Sequence, residues 1–504
     1  MDAPPPHAWP SLHRPDEVAL RFEGRAVPYG DLARAVRRAA AALAARGVGR
    51  GDRVAFLGAN HPAQLVALFA LMRLGAAQVP LNWRLAPPEL AALLADCAPR
   101  LLLATPEWLD AARALGAPCE AADATTALDA DGGAATEAAG SPGDDALVVY
   151  TSGTTGRPKG AALTQAALAA NAANAVATFA LDERDHVLTV LPLFHVGGLN
   201  IQTLPALSVG AAVTLHGRFD AAAWFDAVER ERPTLSLLVP AVMRALVSHP
   251  RWPRADLASL RAVGAGSSDV PPDLIAAFHA RGVPVQQVYG CTETAPVAVA
   301  QTRGEALAAP GSLGRPAPLC EVRVVDPATG APLAAGATGE IVVRGPNVMR
   351  GYLGDEDGAT RDAFLPGTGW FRTGDAGRVD AAGRFWFADR LKHLIVSGGE
   401  NVAPAEVERV LAGAPGVAEG AVCAAPDPRW GEVPVAVVVP SDPAAFDAAR
   451  VLAHFEGRLA RYKHPRRVVV VGALPRTALG KVEVAALRAL VAAAETARES
   501  ARVS

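Results

Sequence analysis

Tyr150-Thr151-Ser152-Gly153-Thr154-Thr155-Gly156-Arg157-Pro158-Lys159-Gly160 follows directly on an apolar run at 146–149. Small residues let backbone N–H groups approach an oxyanion closely, hydroxyls donate to it, and Arg157 and Lys159 add positive charge. The composition is that of a phosphate-handling loop. It is not a Walker A loop, in which the lysine is followed by Ser or Thr and the chain enters a helix at once. Here Lys159 precedes Gly160, and Ala161, Ala162 and Leu163 predict a strand. Thr164 is the expected N-cap of a helix over Gln165–Phe179.

Outward from this loop the chain alternates helix and strand. On the N-terminal side the pattern predicts a helix capped by Asp31 that reaches residue 46. Strands follow at 53–57, 77–81 and 101–104, with helices at 62–74 and 87–97. Residues 123–145, rich in Ala, Gly and acid, read as a connector. Beyond the loop come strands at 187–191, 212–215, 235–239, 261–263 and 285–289, with helices at 221–232, 241–249 and 272–281. The rhythm implies an α/β fold with largely parallel sheets covered by helices on both faces. After Pro310 short strands and tight turns take over, at 321–325 and 340–344, with a hairpin turning at Asp380-Ala381-Ala382-Gly383. This predicts a β-rich subdomain. A last unit of about 110 residues, the size of a small α+β domain, has helices at 405–412 and 444–461, strands at 420–424, 435–439 and 467–471, and a C-terminal helix. The expected organisation is a large domain over 1–388, a hinge over 389–394 and a small domain over 395–504.

Composition bounds the function. The chain has 504 residues, too many for one ordinary core. With 51% hydrophobic and 20% charged residues it reads as globular, and a net charge of −3 makes no electrostatic case for nucleic acid. The five cysteines, Cys97, Cys119, Cys291, Cys320 and Cys423, show no C-x-x-C spacing. That argues against a zinc site or disulfide framework and fits a reducing, cytoplasmic setting. Residues 1–10 lack the pattern of a signal peptide. The apolar run at 63–80 is broken by Arg73, so no transmembrane segment is expected.

Four further stretches carry groups for nucleotide chemistry. Tyr289-Gly290-Cys291-Thr292-Glu293-Thr294 ends a predicted strand, where open α/β sheets place their ligands. It offers a flat ring for a purine, a hydroxyl for phosphate and a carboxylate for magnesium. In Gly369-Trp370-Phe371-Arg372-Thr373-Gly374-Asp375, the Asp375 carboxylate can accept both hydroxyls of a ribose. Asp389-Arg390-Leu391-Lys392 is followed by Ser397-Gly398-Gly399-Glu400-Asn401. Pro475-Arg476-Thr477-Ala478-Leu479-Gly480-Lys481 is a short turn presenting Lys481.

Singly, each stretch has an ordinary structural explanation. In this joint order, spanning about Pro28 to Leu490, they closely resemble the adenylate-forming superfamily, which includes acyl-CoA synthetases, luciferases and peptide-synthetase adenylation domains. The resemblance implies ATP, Mg2+ and coenzyme A as cofactor and co-substrates and a small-molecule carboxylic acid as substrate, and it allows a homodimer. It implies that Thr151, Ser152, Gly153, Thr154, Thr155, Lys159 and Gly160 enclose the β- and γ-phosphates. Gly266, Ser267, Ser268, Tyr289 and Gly290 belong to the ATP site, around the adenine. Thr292 and Glu293 hold the α-phosphate and magnesium, and Asp375 and Arg390 fix the ribose. Lys481 bridges the substrate carboxylate and the α-phosphate, and Lys392 stands at the hinge. Gly398, Gly399, Trp430, Tyr462 and Lys463 match CoA-facing positions. His195, Val196, Gly290 and Cys291 line the acyl pocket, where His195 can act as a gate.

The sequence departs from the common pattern at several points. Cys291 stands where Met is frequent, Gly266-Ser267-Ser268 replaces Gly-Ala-Pro, and His464 stands where Arg is common. Phe194-His195 occupies the region where amino-acid-activating members carry an Asp for the substrate amine, which favours an acid without an amine. The expected activity is an AMP-forming acyl-CoA ligase for a medium- or long-chain fatty acid. The alternatives are an aryl acid of the 4-coumarate kind and transfer to a separate carrier protein.

Overall fold

The structure is a computed structural model that describes residues 4–126, 139–151, 158–266, 270–355, 358–393, 395–397, 400–427, 430–459, 461–477 and 481–503. The chain divides into two compact units. One comprises 1–323, 342–373 and 380–386, the other 324–341, 374–379 and 387–504.

In the first unit, two sheets are built mainly from the alternating elements. One runs in the order Arg315–Pro316, Val299–Ala300, Val285–Tyr289, Ala262–Gly266, Leu235–Leu238, His186–Thr189, Ala212–Leu215, Val18–Phe22, Arg25–Pro28. Its six central strands pair in parallel, and the two at one edge and the last at the other pair antiparallel. The second runs Gly351–Tyr352, Lys159–Thr164, Asp145–Thr151, Ala77–Leu81, Arg53–Leu57, Leu101–Ala104, Cys119–Ala121. Strands Ala77–Leu81 and Leu101–Ala104 are buried on both faces, as expected of parallel strands under helices.

Local signals explain most boundaries. Helix Pro62–Leu74 begins with the Ala63 N–H donating to His61 Nδ1 and a proline at its first position. It ends at Gly75, whose φ of 72° is the left-handed cap that glycine adopts without strain. The Thr164 hydroxyl accepts from Ala167 N–H and opens Gln165–Phe179, as expected. The first long helix differs from its expectation. It spans Tyr29–Ala45 with Pro28 as N-cap, so Asp31 lies inside the first turn, where its charge still complements the helix dipole. Among the strands that the sequence pattern does not predict, Val18–Phe22 and Arg25–Pro28 form a hairpin across Glu23 and Gly24.

In the second unit, strands Glu400–Val402, Ile395–Ser397, Gly431–Pro440 and Val417–Asp427 form a sheet in that order, with Val468–Val470 also pairing with Gly431–Pro440. Helices Pro404–Leu411 and Val484–Val503 contribute Val407 and Leu411, and Leu487 and Val491, to two small cores. The helix expected over 444–461 is only Ala448–Ala453. Asp447 caps it through Ala449 N–H, and Gly457, at φ 71°, lies beyond its end.

Candidate functional site

The flanks of the phosphate loop form an antiparallel hairpin, Asp145–Thr151 against Lys159–Thr164, with Thr151 opposite Lys159. Of the loop itself, Ser152, Gly153, Thr154 and Thr155 lie outside the described residues, as do Ser267, Ser268, Gly398 and Gly399. Gly160 is buried between the Val148 side chain and the Tyr150 ring, with no space for a side chain. The exit strand continues outward into Gly351–Tyr352, paired Gly351 to Ala162 and Tyr352 to Ala161.

That pairing sets Tyr352 between two of the expected site residues. Its hydroxyl donates to Glu293 Oε1 at 2.8 Å, and the Lys159 ammonium lies 5.5 Å from its ring centroid. Burial and the neighbouring Glu293 carboxylate both push the Tyr352 pKa up, so the phenol keeps its proton and remains a donor. Glu293 is nearly enclosed, at 9% exposure, in the short turn Thr292–Thr294 at the carboxyl end of Val285–Tyr289. Its backbone carbonyl accepts from Met349 N–H at 2.7 Å. Tyr289 is buried on the same strand end. Gly290 is confined by the Pro296 carbonyl, which a Cβ would strike, and Gly266 is similarly confined by the Val288 carbonyl.

His195 is half-buried at the start of Val196–Gly198, with its ring 6.4 Å from that of Phe194. The segment before it is clamped by amides from elsewhere in the chain. Asn60 accepts from Leu193 N–H and donates to the Leu191 and His216 carbonyls, and Gln64 donates to the Leu193 carbonyl. Behind the Gly290–Thr294 segment runs a buried polar chain. Thr294 Oγ1 accepts from Cys291 N–H, Asn347 donates to the Thr294 carbonyl, and Cys320 Sγ lies 3.1 Å from Asn347 Oδ1 and 3.2 Å from Asn174 Nδ2. Burial pushes the Cys97, Cys320 and Cys423 thiols up to about 11, which leaves them structural at neutral pH.

The second unit assembles Asp375, Arg390 and Lys481. Arg390 Nε pairs with Asp375 Oδ1 at 2.8 Å, the carboxylate being buried and the guanidinium partly open. Asp375 lies one residue past Gly374, whose N–H donates to Glu340 Oε1. Thr477 N–H donates to the Lys481 carbonyl, beside an antiparallel Arg476–Val482 bridge. The residue taken as a whole is exposed. Even so its pKa is lowered, first by burial of the ammonium, then by Arg390, with Asp375 pulling it back up.

Asp389, noted in sequence only as part of the charged link, accepts from Arg390 N–H and from Ala405 N–H and so caps helix Pro404–Leu411. Lys392 lies in the turn Leu391–His393, and Tyr462 in Arg461–Lys463; the side chains of both lie outside the described residues. Lys463 pairs with Glu406 at 2.6 Å, and Arg466 lies 5.9 Å from the ring centroid of the exposed Trp430. Sequence reasoning did not find Tyr352, Asn60 or Gln64. Their positions were visible, but no local pattern tells which distant group each touches.

No cluster of three or more His, Cys, Asp or Glu residues suited to a metal occurs among the described residues. The lone, hydrogen-bonded Glu293 carboxylate is a donor set that fits magnesium, which binds through one or two carboxylates and completes its shell with phosphate oxygens and water.

Parallel sheets with acid, hydroxyl and aromatic groups at one strand end, a phosphate-type hairpin, and a separate unit presenting a lysine beside an Asp–Arg pair define a nucleotide-using enzyme of the adenylating class. The chain belongs to the AMP-binding enzyme family, whose model matches residues 9–353, with the AMP-binding enzyme C-terminal domain matching 406–481. It is 49% identical over 492 residues, 95% of this chain and 96% of the other, to an indoleacetate–CoA ligase of Aromatoleum aromaticum. It is 44% identical over 478 residues, 94% and 96% of the two chains, to a feruloyl-CoA synthase of an Amycolatopsis species. A long-chain-fatty-acid–CoA ligase of Mycobacterium tuberculosis is 34% identical over 472 residues, 91% and 92%. Among solved structures, ATP-bound MatB from Rhodopseudomonas palustris superimposes with a TM-score of 0.88 at 33% identity, covering 97% and 98%. MenE from Bacillus subtilis in complex with ATP and magnesium ion gives 0.84 at 32%, covering 96% and 98%. The protein is an ATP-dependent, AMP-forming acid–thiol ligase acting on an acyl or aryl acid and coenzyme A. No described helix is long and apolar enough to cross a membrane.

Proposed function

We propose that the acid is an aryl or arylacetic acid, activated to its acyl-adenylate and passed to coenzyme A. The observation that carries this reading is the near full-length likeness to two ligases named for indoleacetate and ferulate, at 49% and 44% identity. The likeness to a fatty-acid ligase is lower, at 34%. The expectation of a medium- or long-chain fatty acid therefore gives way to the aryl alternative.

In the first half-reaction a carboxylate oxygen of the acid attacks the α-phosphorus of ATP, and the bond to pyrophosphate breaks. Two anions must meet, so charge repulsion is a large part of the barrier. Lys159, Thr151 and Gly160, with Ser152, Gly153, Thr154 and Thr155, hold the β- and γ-phosphates. Tyr289, Gly290 and Gly266, with Ser267 and Ser268, form the adenine site. Asp375, oriented by Arg390, accepts the ribose hydroxyls. Thr292 donates to the α-phosphate, and the Lys481 ammonium lies between it and the attacking carboxylate. Glu293, fixed by Tyr352, supplies the protein ligand for magnesium, which when bound neutralises phosphate charge and favours departure of pyrophosphate.

In the second half-reaction the CoA sulfur attacks the acyl carbon and AMP leaves. Lys481 has no part in that step. We propose that the domain over 395–504 moves about a hinge over 389–394, centred on Lys392, relative to the domain over 1–388. The movement withdraws Lys481 and presents Gly398 and Gly399 to the pantetheine arm, with Trp430, Tyr462 and Lys463 toward the CoA nucleotide. His195, Val196, Gly290 and Cys291 border the acid. A cytoplasmic enzyme, homodimeric in solution, completes the proposal.

The test is a screen of ATP-dependent pyrophosphate release, with and without CoA, over arylacetic, cinnamic, fatty and dicarboxylic acids. Highest kcat/KM on an aryl acid, with thioester formed, supports the reading. Preference for a fatty acid overturns the substrate class, and pyrophosphate release without any CoA thioester points to a carrier-protein acceptor.

A further inference from the structure

Buried side-chain amides around the candidate site are generally well used. Asn60 makes three hydrogen bonds, Asn171 donates to the Asn200 carbonyl and accepts from Val297 N–H, and Gln301 donates to Ala309 and Ser312. Asn200 and Gln202 break this pattern. Each is 1% exposed, and none of their four side-chain polar atoms has a hydrogen-bond partner. Both lie in Leu199–Thr203, a single π-helical turn that continues the segment opened by His195. Such turns are frequent at functional sites. Two neighbouring orphaned amides in an enclosed position call for a physical reason, because each unmade hydrogen bond costs free energy.

The position of Gln202 supplies one. A Cβ added to Gly264 would stand 3.0 Å from Gln202 Nε2, 2.8 Å from Leu237 Cδ1 and 3.3 Å from Phe179 Cε1. The amide tip therefore reaches the sheet where a strand residue has no side chain, between an aromatic and an aliphatic wall. One polar group among apolar ones is the make-up of a ligand subsite. Gly264 precedes Gly266, at the end of Ala262–Gly266, by two residues, or about 7 Å along the strand. That depth matches an aromatic ring whose carboxylate lies at the strand ends, where Thr292 and Glu293 are found.

We infer that Gln202 is a specificity-determining residue that hydrogen-bonds a polar ring atom of the acid, an indole N–H or a phenolic hydroxyl. The inference rests on the aryl-acid reading proposed above. A carboxamide has both an acceptor and a donor, so it serves either ring type. An acid of the same shape lacking that atom leaves the amide unpaired and is rejected, which is how hydrogen-bonding sites discriminate most strongly.

The test measures kcat/KM for two matched pairs, indole-3-acetate against 1-naphthaleneacetate and 4-hydroxycinnamate against cinnamate. Wild-type enzyme is expected to favour the hydrogen-bonding member of at least one pair by about 30-fold or more. Gln202→Met, similar in volume, is expected to reduce that ratio to about 3-fold or less, mainly by losing activity on the preferred acid. A measurement on the wild type alone covers the case of a poorly folding variant: the preferred acid raises the melting temperature more than its apolar partner does. An unchanged ratio in Gln202→Met, or a wild type indifferent to the ring atom, overturns the inference and assigns the amides to an enclosed water, while aryl-CoA ligase activity stands. Absence of turnover on every aryl acid, with turnover on another class, overturns the aryl reading and this inference together.

Discussion

The Tyr352 hydroxyl donates to Glu293 Oε1 at 2.8 Å while the Lys159 ammonium lies 5.5 Å from the centroid of the same ring. Three segments distant in sequence are thereby tied together: the exit of the phosphate hairpin, a two-residue edge strand and the acidic turn at a strand end. The bond occupies one Glu293 oxygen and fixes the direction of the other. Tyr352→Phe is expected to raise the magnesium concentration giving half-maximal pyrophosphate release by about 10-fold, the value of one hydrogen bond to a charged group. A magnesium titration at saturating acid measures it, and an unshifted midpoint removes Tyr352 from the metal site.

Lys481→Ala is expected to slow adenylation by about 100-fold or more, as loss of one charge-stabilising donor does. Thioester formation from synthetic acyl-adenylate and CoA should stay near wild type. Single-turnover assays of the separate half-reactions decide it, and equal loss of both would contradict a role confined to the first.

With the role proposed for Lys481, its lowered pKa is expected to give adenylation a basic limb. That role requires the ammonium, so the rate is expected to fall as pH rises through a value below the ordinary lysine 10.5. The effect on stability has the opposite sign. A depressed lysine pKa disfavours the fold at low pH, where the fold must carry the charge, and that cost is relieved as pH rises through the folded value. A pH–rate profile of ATP-dependent pyrophosphate release should show the limb, and thioester formation from supplied adenylate should lack it.

Lys392→Pro fixes φ within the turn Leu391–His393. The expected outcome is normal acyl-adenylate formation with thioester formation reduced about 100-fold, the rate consequence of roughly 2.7 kcal/mol. Overall turnover at the wild-type rate would show that the chain does not pivot there.

Gly290→Ala would drive a methyl group into the Pro296 carbonyl. The cost expected of such overpacking is about 2 kcal/mol, with loss of Tyr289 and Thr292 geometry. Thermal unfolding reads the first effect, and the KM for ATP reads the second.

Much of this was legible before any coordinates. Elements with Pro at the start and Gly at the stop, such as Pro62–Leu74 before Gly75, could be bounded from chemistry that acts within a few residues. Alanine-rich sequence keeps helix propensity high over 444–461, although the helix runs only from its Asp447 cap to Ala453. The hairpin at Glu23-Gly24 carried a turn signal, but its parallel partner Ala212–Leu215 lies some two hundred residues away. The site divides in the same way. The candidates Glu293, Asp375, Arg390 and Lys481 stand out by residue type and motif order. Tyr352, Asn60 and Gln202 matter through what packs against them, which a linear pattern does not encode.

The pairing of Leu20 with Val213 also has a consequence for synthesis. Strand Val18–Phe22 is translated about 10–40 s before its parallel neighbour at ordinary elongation rates. Through that interval the hairpin Val18–Pro28 offers an open backbone edge and an apolar face to whatever is nearby. The sheet that carries Tyr289 and Gly266 is thus closed by a hairpin made well before the strand it joins, and a chaperone guarding that edge would guard the sheet before it is complete.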